Sequence, residues 1–120
     1  MKQLQILCNE VIVLIIIMTT VETEKDADRL SKELVENKLA ACVSVFPVRS
    51  TYYWMEKIVE KQPEFLLIIK TLEEKVSEAI KYLKENHPYS VPEIVTIKAE
   101  AHGKYVDWML GYLLGLEFKK

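Results

Sequence analysis

Glycine is scarce in this 120-residue chain, which contains only Gly103, Gly111 and Gly115. A phosphate-binding loop needs several closely spaced glycines at the start of a helix, and no such group precedes position 103. The motifs of P-loop enzymes, nucleophile-elbow hydrolases and zinc peptidases are also missing. The sequence therefore lacks the signatures of the common nucleotide-binding and hydrolytic enzymes.

Cysteine is equally rare, with Cys8 and Cys42 as its two representatives. They form no CxxC pair and no Cys/His zinc pattern. Cys42 lies in the apolar run 39–45, so we interpret it as a small core residue rather than a reactive thiol. This cysteine usage favours a reducing, cytoplasmic location. The apolar run at 11–18 is far shorter than the ~20 residues that span a bilayer, and no signal-peptidase site follows it. We expect no membrane association.

An excess of positive charge is absent as well. The 16 Lys and Arg residues are outnumbered by 18 Asp and Glu residues, which argues against a nucleic-acid partner. Within this balance, Glu and Lys greatly outnumber Asp and Arg. Such a surface is typical of heat-adapted proteins, although chance bias in a short chain is the alternative. Half of the residues are apolar, enough for one compact domain over residues 1–120. If the bias toward Glu and Lys is adaptive, this domain is expected to be thermostable.

Hydrophobic patterning predicts the first half of the fold. Residues 11–18 are all aliphatic or Met and predict a central strand, and 23–37 repeat apolar residues at helical spacing. Residues 40–54 and 58–72 are long β-type segments separated by a short turn, which predicts a hairpin. Pro47 and Pro63 cannot donate to a ladder, so each is expected at an edge or a bulge.

The second half continues the alternation of elements. Thr71 and Glu74 have the spacing of a capping box, which predicts a helix over 72–85. Residues 91–101 predict another strand. Gly103 ends that strand, and a terminal helix follows with an aromatic stripe formed by Tyr105, Trp108, Met109 and Tyr112, before a frayed tail from 116.

The order of these elements predicts an α+β fold. It is the ferredoxin-like βαββαβ arrangement, an antiparallel sheet with helices on one face, plus an extra C-terminal helix. The apolar run at 65–69 places apolar side chains on both faces of the sheet, and both faces are therefore expected to be buried. One short chain has few ways to supply that cover, so we expect an oligomer.

His87 is the histidine with the most distinctive setting, between a helix end and a Pro-Tyr turn. It could ligate a metal or act in a cleft; alternatively, its ring bonds the last carbonyls of its helix. Tyr53 and Trp54 could line a pocket or only pack the hairpin. Lys70 could be a cleft cation or merely extend to solvent at a strand end.

Several ordered motifs resemble the CutA family, the divalent-cation tolerance proteins. The resemblance spans about residues 11–112 and rests on Leu39-Ala40-Ala41-Cys42-Val43, Tyr52-Tyr53-Trp54, Ile69-Lys70-Thr71, His87-Pro88-Tyr89, Val91-Pro92-Glu93 and the Tyr105/Trp108 pair. It implies a ferredoxin-like fold, a cytoplasmic homotrimer built by pairing of strand edges, and an architecture similar to PII signalling proteins. It attaches no reaction to the chain.

The resemblance also implies association with divalent metals, copper above all. At the positions where some members have a Cys near the end of the first strand and a His-His pair, this sequence has Met18, Asn86 and His87. His87 is the ligand that remains, which implies weak binding of copper or another divalent cation. A thioether from Met18 together with the imidazole of His87 could hold Cu(I) weakly.

These observations lead to three hypotheses about function. The first is a non-catalytic trimeric protein that binds divalent metal, copper before others, through His87. The second is a PII-like signalling protein that binds a small metabolite in clefts between subunits. The third, a hydrolase with His87 as base and Glu93 as its partner, lacks a nucleophile. The cleft residues of the second hypothesis are Tyr53, Trp54, Lys70, His87, Tyr89 and Glu93.

Overall fold

The computed structural model describes residues 12–116 and contains four strands and three helices in that range. The terminal residues 1–11 and 117–120, which include Cys8 and the end of the predicted tail, lie outside the described range. In chain order the elements are β1 (Ile12–Val21), α1 (Glu24–Glu36), β2 (Cys42–Trp54), β3 (Lys57–Leu72), α2 (Glu73–Asn86), β4 (Val95–Ala101) and α3 (Lys104–Leu114).

All four strands form one sheet in the order β2-β3-β1-β4. Every neighbouring pair is antiparallel, and β1 is hydrogen-bonded along both of its edges. Met18, for example, lies opposite Ile68 of β3 on one side and Val95 of β4 on the other. The predicted central strand and the ferredoxin-like α+β order are therefore confirmed.

Alternation along β1 separates two hydrophobic clusters. Ile15, Ile17 and Val21 point to the face covered by α1 and α2, where Ile17 and Val21 are fully buried. Leu14 points the other way and packs in a cluster with α3. The helices α1 and α2 therefore lie on one side of the sheet and the extra helix on the other. The extra helix, α3, covers only one end of its side.

Side chains cap both ends of α1. Thr23 is the N-cap, and its hydroxyl accepts a hydrogen bond from the backbone N–H of Asp26 at 3.0 Å. Asn37 is the C-cap, and its side-chain amide donates to the carbonyl of Glu33 at 2.8 Å. Local residue chemistry therefore defines both ends of this helix.

The predicted capping box at the start of α2 is wrong. The helix begins at Glu73 with Leu72 as N-cap, and no side chain caps it. Thr71 is still part of β3, where it is fully buried and donates to the carbonyl of Leu39 at 2.7 Å. The hydroxyl is used for a contact across the core, because strand alternation turns Thr71 inward rather than toward the helix.

The hairpin between β2 and β3 confirms the proline expectations. Pro47 lies on β2, an edge strand of the sheet, and Pro63 lies beside a register shift opposite Val48 and Ser50. The turn is made by Met55 and Glu56, both with positive φ, of 51° and 66°. This long hairpin belongs to an elongated molecule, whose longest dimension is 54 Å.

The part of the second sheet face that α3 leaves uncovered is apolar, and we call it the open sheet face. Its side chains are exposed or half-buried rather than buried, so the cover expected for the run at 65–69 is present on one face only. Strand register places on this face Leu66 and Ile68 of β3, Met18 of β1, Phe46 of β2, and Val95 and Ile97 of β4.

Two boundary expectations are corrected in the last third of the chain. The strand predicted over 91–101 begins only at Val95, since Pro92 lacks the N–H that a ladder requires. Tyr105 and Trp108 of the aromatic stripe are exposed, while α3 packs through Val106, Met109, Leu110 and Leu113. Leu116, assigned to a frayed tail, packs against the α3 cluster.

The buried hydroxyl of Thr71 provides a test of the fold. Replacing it in Thr71→Val keeps the shape but leaves the carbonyl of Leu39 without its donor, which should lower the free energy of unfolding by about 1–2 kcal/mol. The matched change Thr51→Val, at an exposed position of β2, should have little effect. Urea denaturation at one fixed protein concentration measures both. Equal stability of the two variants would contradict the assigned role of Thr71.

Candidate functional site

The candidate site is built where α2 ends against β1. His87 is the C-cap of α2; its backbone N–H donates to the carbonyl of Leu83 at 2.9 Å, and its backbone then turns to an extended conformation. This turn directs the ring toward the sheet, where Nε2 lies 2.9 Å from the hydroxyl of Thr19. Thr19 is fully buried on β1, so His87 joins the end of a helix to the central strand.

The hydrogen bonds of the His87 ring define its tautomer. The backbone N–H of Tyr89 donates to Nδ1 at 3.1 Å, so Nδ1 is an acceptor. In the neutral ring Nε2 then carries the proton and donates it to the hydroxyl of Thr19. Burial lowers the pKa of His87 below its ordinary value. A hydrogen bond to the backbone of Thr20 and the charge of Asp26 raise this pKa, but burial has the larger effect. The site therefore holds a neutral imidazole near neutral pH.

The ring of His87 does not bond the last carbonyls of its helix, which was the alternative interpretation from sequence. The guanidinium of Arg29 donates to the carbonyl of Asn86 at 3.2 Å instead. The side-chain amide of Asn86 in turn donates to the carbonyl of Tyr82 at 2.9 Å. Because other side chains satisfy the helix end, the imidazole is free to contact β1.

A buried carboxylate lies next to the histidine. Tyr89 stacks at a tilt beside His87, with ring centroids 5.1 Å apart, and its hydroxyl donates to Oε2 of Glu64 at 2.6 Å. Glu64 is only 2% exposed. Burial, together with the hydrogen bond to Glu64 and the charge of that residue, raises the pKa of Tyr89 far above its usual range. The phenol therefore remains a donor at every physiological pH.

Glu93 adds a second carboxyl group to this region. Partial burial raises the pKa of Glu93, and the nearby charge of Glu64 raises it further. The ammonium group of Lys61 pairs with Glu22 at 3.3 Å. His87, Tyr89, Glu64 and Glu93 thus form one polar region with more acidic than basic character.

Lys70 lies on the other side of the sheet. Its ammonium group is 3.4 Å from the hydroxyl of Ser44 and 3.8 Å from the sulfur of Cys42. The sequence predicted that Cys42 is a core residue, but the structure shows it half-buried. The reason is that Cys42 starts the edge strand β2. Strand alternation separates Lys70 from the fully buried Thr71, its neighbour on the helix-covered face.

Met18 and His87 also lie on opposite sides of the sheet. Thr19, which contacts His87, points to the helix-covered face, and the adjacent Met18 must therefore point to the open sheet face. The expectation that a thioether and an imidazole share one Cu(I) ion is wrong within a single chain. The physical reason is the two-residue period of the strand.

The aromatic pair at the hairpin lies far from His87. Tyr53 and Trp54 are exposed, at 67% and 42%, next to the turn. The strand from Glu64 to the turn at Lys57 covers roughly 23 Å at about 3.3 Å per residue. One chain therefore brings Tyr89 into contact with His87 and Glu93 within range of the charge of Glu64. It leaves Tyr53, Trp54 and Lys70 apart from them.

Thr19, Glu64 and Arg29 are site residues that sequence reasoning missed. Glu64 had a usable signal, because a charged residue directly before a five-residue apolar run in a strand is positioned for burial. Thr19 and Arg29 had none, since their partners are 68 and 57 residues away in the chain. Such contacts depend on how α1, α2 and β1 pack.

The described part of the chain contains no closed metal site. Between residues 12 and 116, no three His, Cys, Asp or Glu side chains come together as potential ligands of one ion. In the same range, no helix is long and apolar enough to cross a membrane. The polar region around His87 therefore offers one imidazole and nearby carboxyl groups rather than a complete coordination sphere.

Comparison with known proteins identifies the family. Residues 15–111 match the family model described as CutA1 divalent ion tolerance protein. This chain belongs to that family. It is 41% identical over 96 residues to the divalent-cation tolerance protein CutA of Thermus thermophilus, covering 78% of this chain and 92% of that protein. The match to CutA of Archaeoglobus fulgidus is 40% identical and covers 78% and 91% of the two chains.

Solved CutA structures share the architecture. CutA from Synechococcus elongatus superposes with a TM-score of 0.81 at 33% identity, covering 87% of this chain and 96% of that one. The Thermus thermophilus protein gives a TM-score of 0.74 at 40% identity, with coverage of 80% and 94%. Family membership connects the chain with tolerance of divalent cations.

The location of CutA relatives varies: an Arabidopsis thaliana relative is named chloroplastic, and the Archaeoglobus fulgidus protein is described as periplasmic.

The hydrogen bond between Tyr89 and the buried Glu64 can be tested directly. Tyr89→Phe removes the one hydroxyl that donates to this carboxylate oxygen, so the free energy of unfolding should fall by about 1–3 kcal/mol. Tyr53→Phe is the matched control, because Tyr53 is 67% exposed. Thermal and urea unfolding of both variants, at the same concentration, gives the comparison. A Tyr89→Phe variant as stable as the control would show that the bond contributes nothing.

Proposed function

We propose that this protein is a non-catalytic homotrimer that binds copper, or another divalent cation, weakly at His87 and takes part in the response to metal ions. The observation that carries this proposal is the neutral imidazole at the end of α2, which lies close enough to the carboxyl group of Glu64 to feel its charge. Neutral imidazole is a good ligand for copper, and carboxylates can complete a borderline site.

The hydrogen bonds of His87 limit how a cation can bind. A neutral histidine offers one ring nitrogen to a metal and keeps the proton on the other. With the Nε2 proton donated to Thr19, the nitrogen available is Nδ1, which now accepts from the N–H of Tyr89. An ion would have to displace that amide, while Thr19 keeps the ring oriented, as an outer hydrogen-bond partner does in many metal sites.

Weak binding is expected because one chain does not provide a full set of ligands. Residues 12–116 contain no group of three potential metal ligands. A metal bond to Nδ1 would also replace the hydrogen bond from the N–H of Tyr89, which reduces the net free energy of binding. A cation at His87 would therefore retain water molecules or take ligands from a second subunit.

Two features of the surface support the homotrimer. The open sheet face exposes large apolar side chains, including Phe46, Val95 and Ile97 at 45–46% exposure. The edges of the sheet are two different strands, β2 and β4. Pairing one edge with the other is a head-to-tail contact, which closes into a ring rather than a two-fold dimer. The family resemblance favours a ring of three.

We also propose a reducing cytoplasm as the location and a heat-stable assembly. Cys42 is a free thiol in the described chain, as expected where disulfides do not persist. A large interface adds to stability because association favours the folded state. The surface rich in Glu and Lys acts in the same direction at high temperature.

Light scattering tests the trimer. The parent should have the mass of three chains of 14.0 kDa each. Ile97→Glu places a charge on the open sheet face and should reduce the mass to that of a single chain, because burial of an unpaired charge is strongly unfavourable. Lys98→Glu, on the same strand but the opposite face, is the control and should leave the mass unchanged. A parent mass of 14.0 kDa would refute the trimer.

Calorimetric titration with Cu(II) tests the metal site. His87→Ala should abolish binding, whereas His102→Ala, a change at the other, exposed histidine, should preserve it. Parent binding should weaken as the pH falls below ~6.5, because protonation competes with the metal, and the lowered pKa of His87 shifts the loss further toward acid.

The titration is repeated with Cu(I) under reducing conditions, since sulfur from Met18 or Cys42 could serve a soft ion. Copper binding by His87→Ala equal to that of the parent in both oxidation states would overturn the proposed site. Light scattering of His87→Ala confirms that any loss of binding is not a loss of the trimer.

A further inference from the structure

Arg29 connects α1 to the residue directly before the candidate ligand. Its guanidinium donates to the carbonyl oxygen of Asn86 at 3.2 Å, although the two residues are 57 positions apart. The last carbonyls of a helix have no intrahelical partners and carry partial negative charge. A guanidinium is well suited to such an oxygen, because charge-assisted hydrogen bonds are stronger than neutral ones.

The bond to Asn86 constrains His87 through a shared peptide group. The carbonyl of Asn86 and the N–H of His87 belong to the same planar unit. Arg29 holds the oxygen side of this plane, and the carbonyl of Leu83 holds the N–H side at 2.9 Å. With both sides fixed, the plane has little freedom to rotate, and the direction in which the His87 side chain leaves the backbone is set.

Arg29 is itself held in place by acidic and aromatic neighbours. Its guanidinium is 3.4 Å from a carboxylate oxygen of Asp26 and 4.0 Å from one of Glu33. The hydroxyl of Tyr82 donates to the same oxygen of Glu33, and the carbonyl of Tyr82 accepts from the side chain of Asn86. Arg29, Glu33, Tyr82 and Asn86 thus form a continuous set of contacts between α1 and the last turn of α2.

We propose that Arg29 is the positioning residue of the His87 site. By fixing the peptide between Asn86 and His87, it keeps Nε2 on Thr19 and presents Nδ1 to a cation. This inference rests on the proposed function of His87, and it assigns to a surface arginine on α1 a role in ligand binding that it performs without touching the ligand.

The chain provides a close control. Arg49 is the only other arginine; it is exposed on β2, and it has no ion pair in the described part of the chain. Arg29→Gln and Arg49→Gln remove the same charge from the same residue type. Arg29→Lys keeps the charge but replaces the planar fork by a single ammonium group, which is not expected to serve Asp26 and Asn86 together with equal geometry.

The first measurement is the Cu(II) dissociation constant, obtained by competition with a chelator of known affinity. Arg29→Gln should weaken binding about tenfold, the lower limit for loss of an outer-shell partner. Arg49→Gln should stay within about twofold of the parent, and Arg29→Lys should recover part of the loss. The electron paramagnetic resonance spectrum of the bound Cu(II) should broaden in Arg29→Gln, because the imidazole takes several orientations.

The second measurement needs no metal. In protein labelled with 13C and 15N at histidine only, the ring and amide signals of His87 should shift in Arg29→Gln and remain in place in Arg49→Gln. His87→Ala assigns these signals, since His102 is the only other histidine. A purely structural role of Arg29 would lower the unfolding midpoint while leaving the copper affinity, the spectrum and the His87 signals of the folded protein unchanged.

The two proposals fail in different ways. If His87→Ala binds copper like the parent, the proposed metal site is wrong, and Arg29 is then judged by the metal-free signals alone. If His87→Ala loses binding while Arg29→Gln binds within twofold of the parent, the positioning role is wrong. Unchanged His87 signals in Arg29→Gln overturn that role in either case.

Discussion

The fold depends on the pairing of β1 along both edges and on the alternation of its side chains. A shift of one residue would exchange every side chain between the two faces of the sheet. The observed register places Ile17 and Val21 under α1 and α2, and it places Thr19 where α2 ends. The same register directs Met18 to the open sheet face. The central strand therefore determines the core and also which side chains can meet His87.

The polar region at the end of α2 follows from the need to satisfy buried hydrogen-bonding groups. Glu64 is almost completely buried, so it requires the hydroxyl of Tyr89, and the backbone of Tyr89 in turn fixes Nδ1 of His87. Thr19 occupies the other ring nitrogen. The imidazole is consequently neutral and oriented. It is connected to the end of α2, to β1 through Thr19, and to β3 through Tyr89 and Glu64. Ligand binding there requires exchange of an existing hydrogen bond, which links affinity to local rearrangement.

One chain leaves a large part of its apolar surface without cover. The open sheet face is apolar, the hairpin exposes Tyr53 and Trp54, and α3 exposes Tyr105 and Trp108. These surfaces lie on a molecule 54 Å long and only about 20 Å thick. Such a shape gives a high ratio of surface to core, and association with further copies is the simple way to bury these side chains.

The sequence by itself determined the α+β class, the order of elements, the hairpin and, through its motifs, the family. These features depend on neighbours a few residues apart, through helical period, strand alternation and turn chemistry. Only the tertiary structure decided that Thr71 serves the core, that Glu64 accepts from Tyr89, that Met18 and His87 lie on opposite faces, and which tautomer His87 adopts. The contacts responsible join residues 25 to 68 positions apart, and such partners are selected by packing rather than by local pattern.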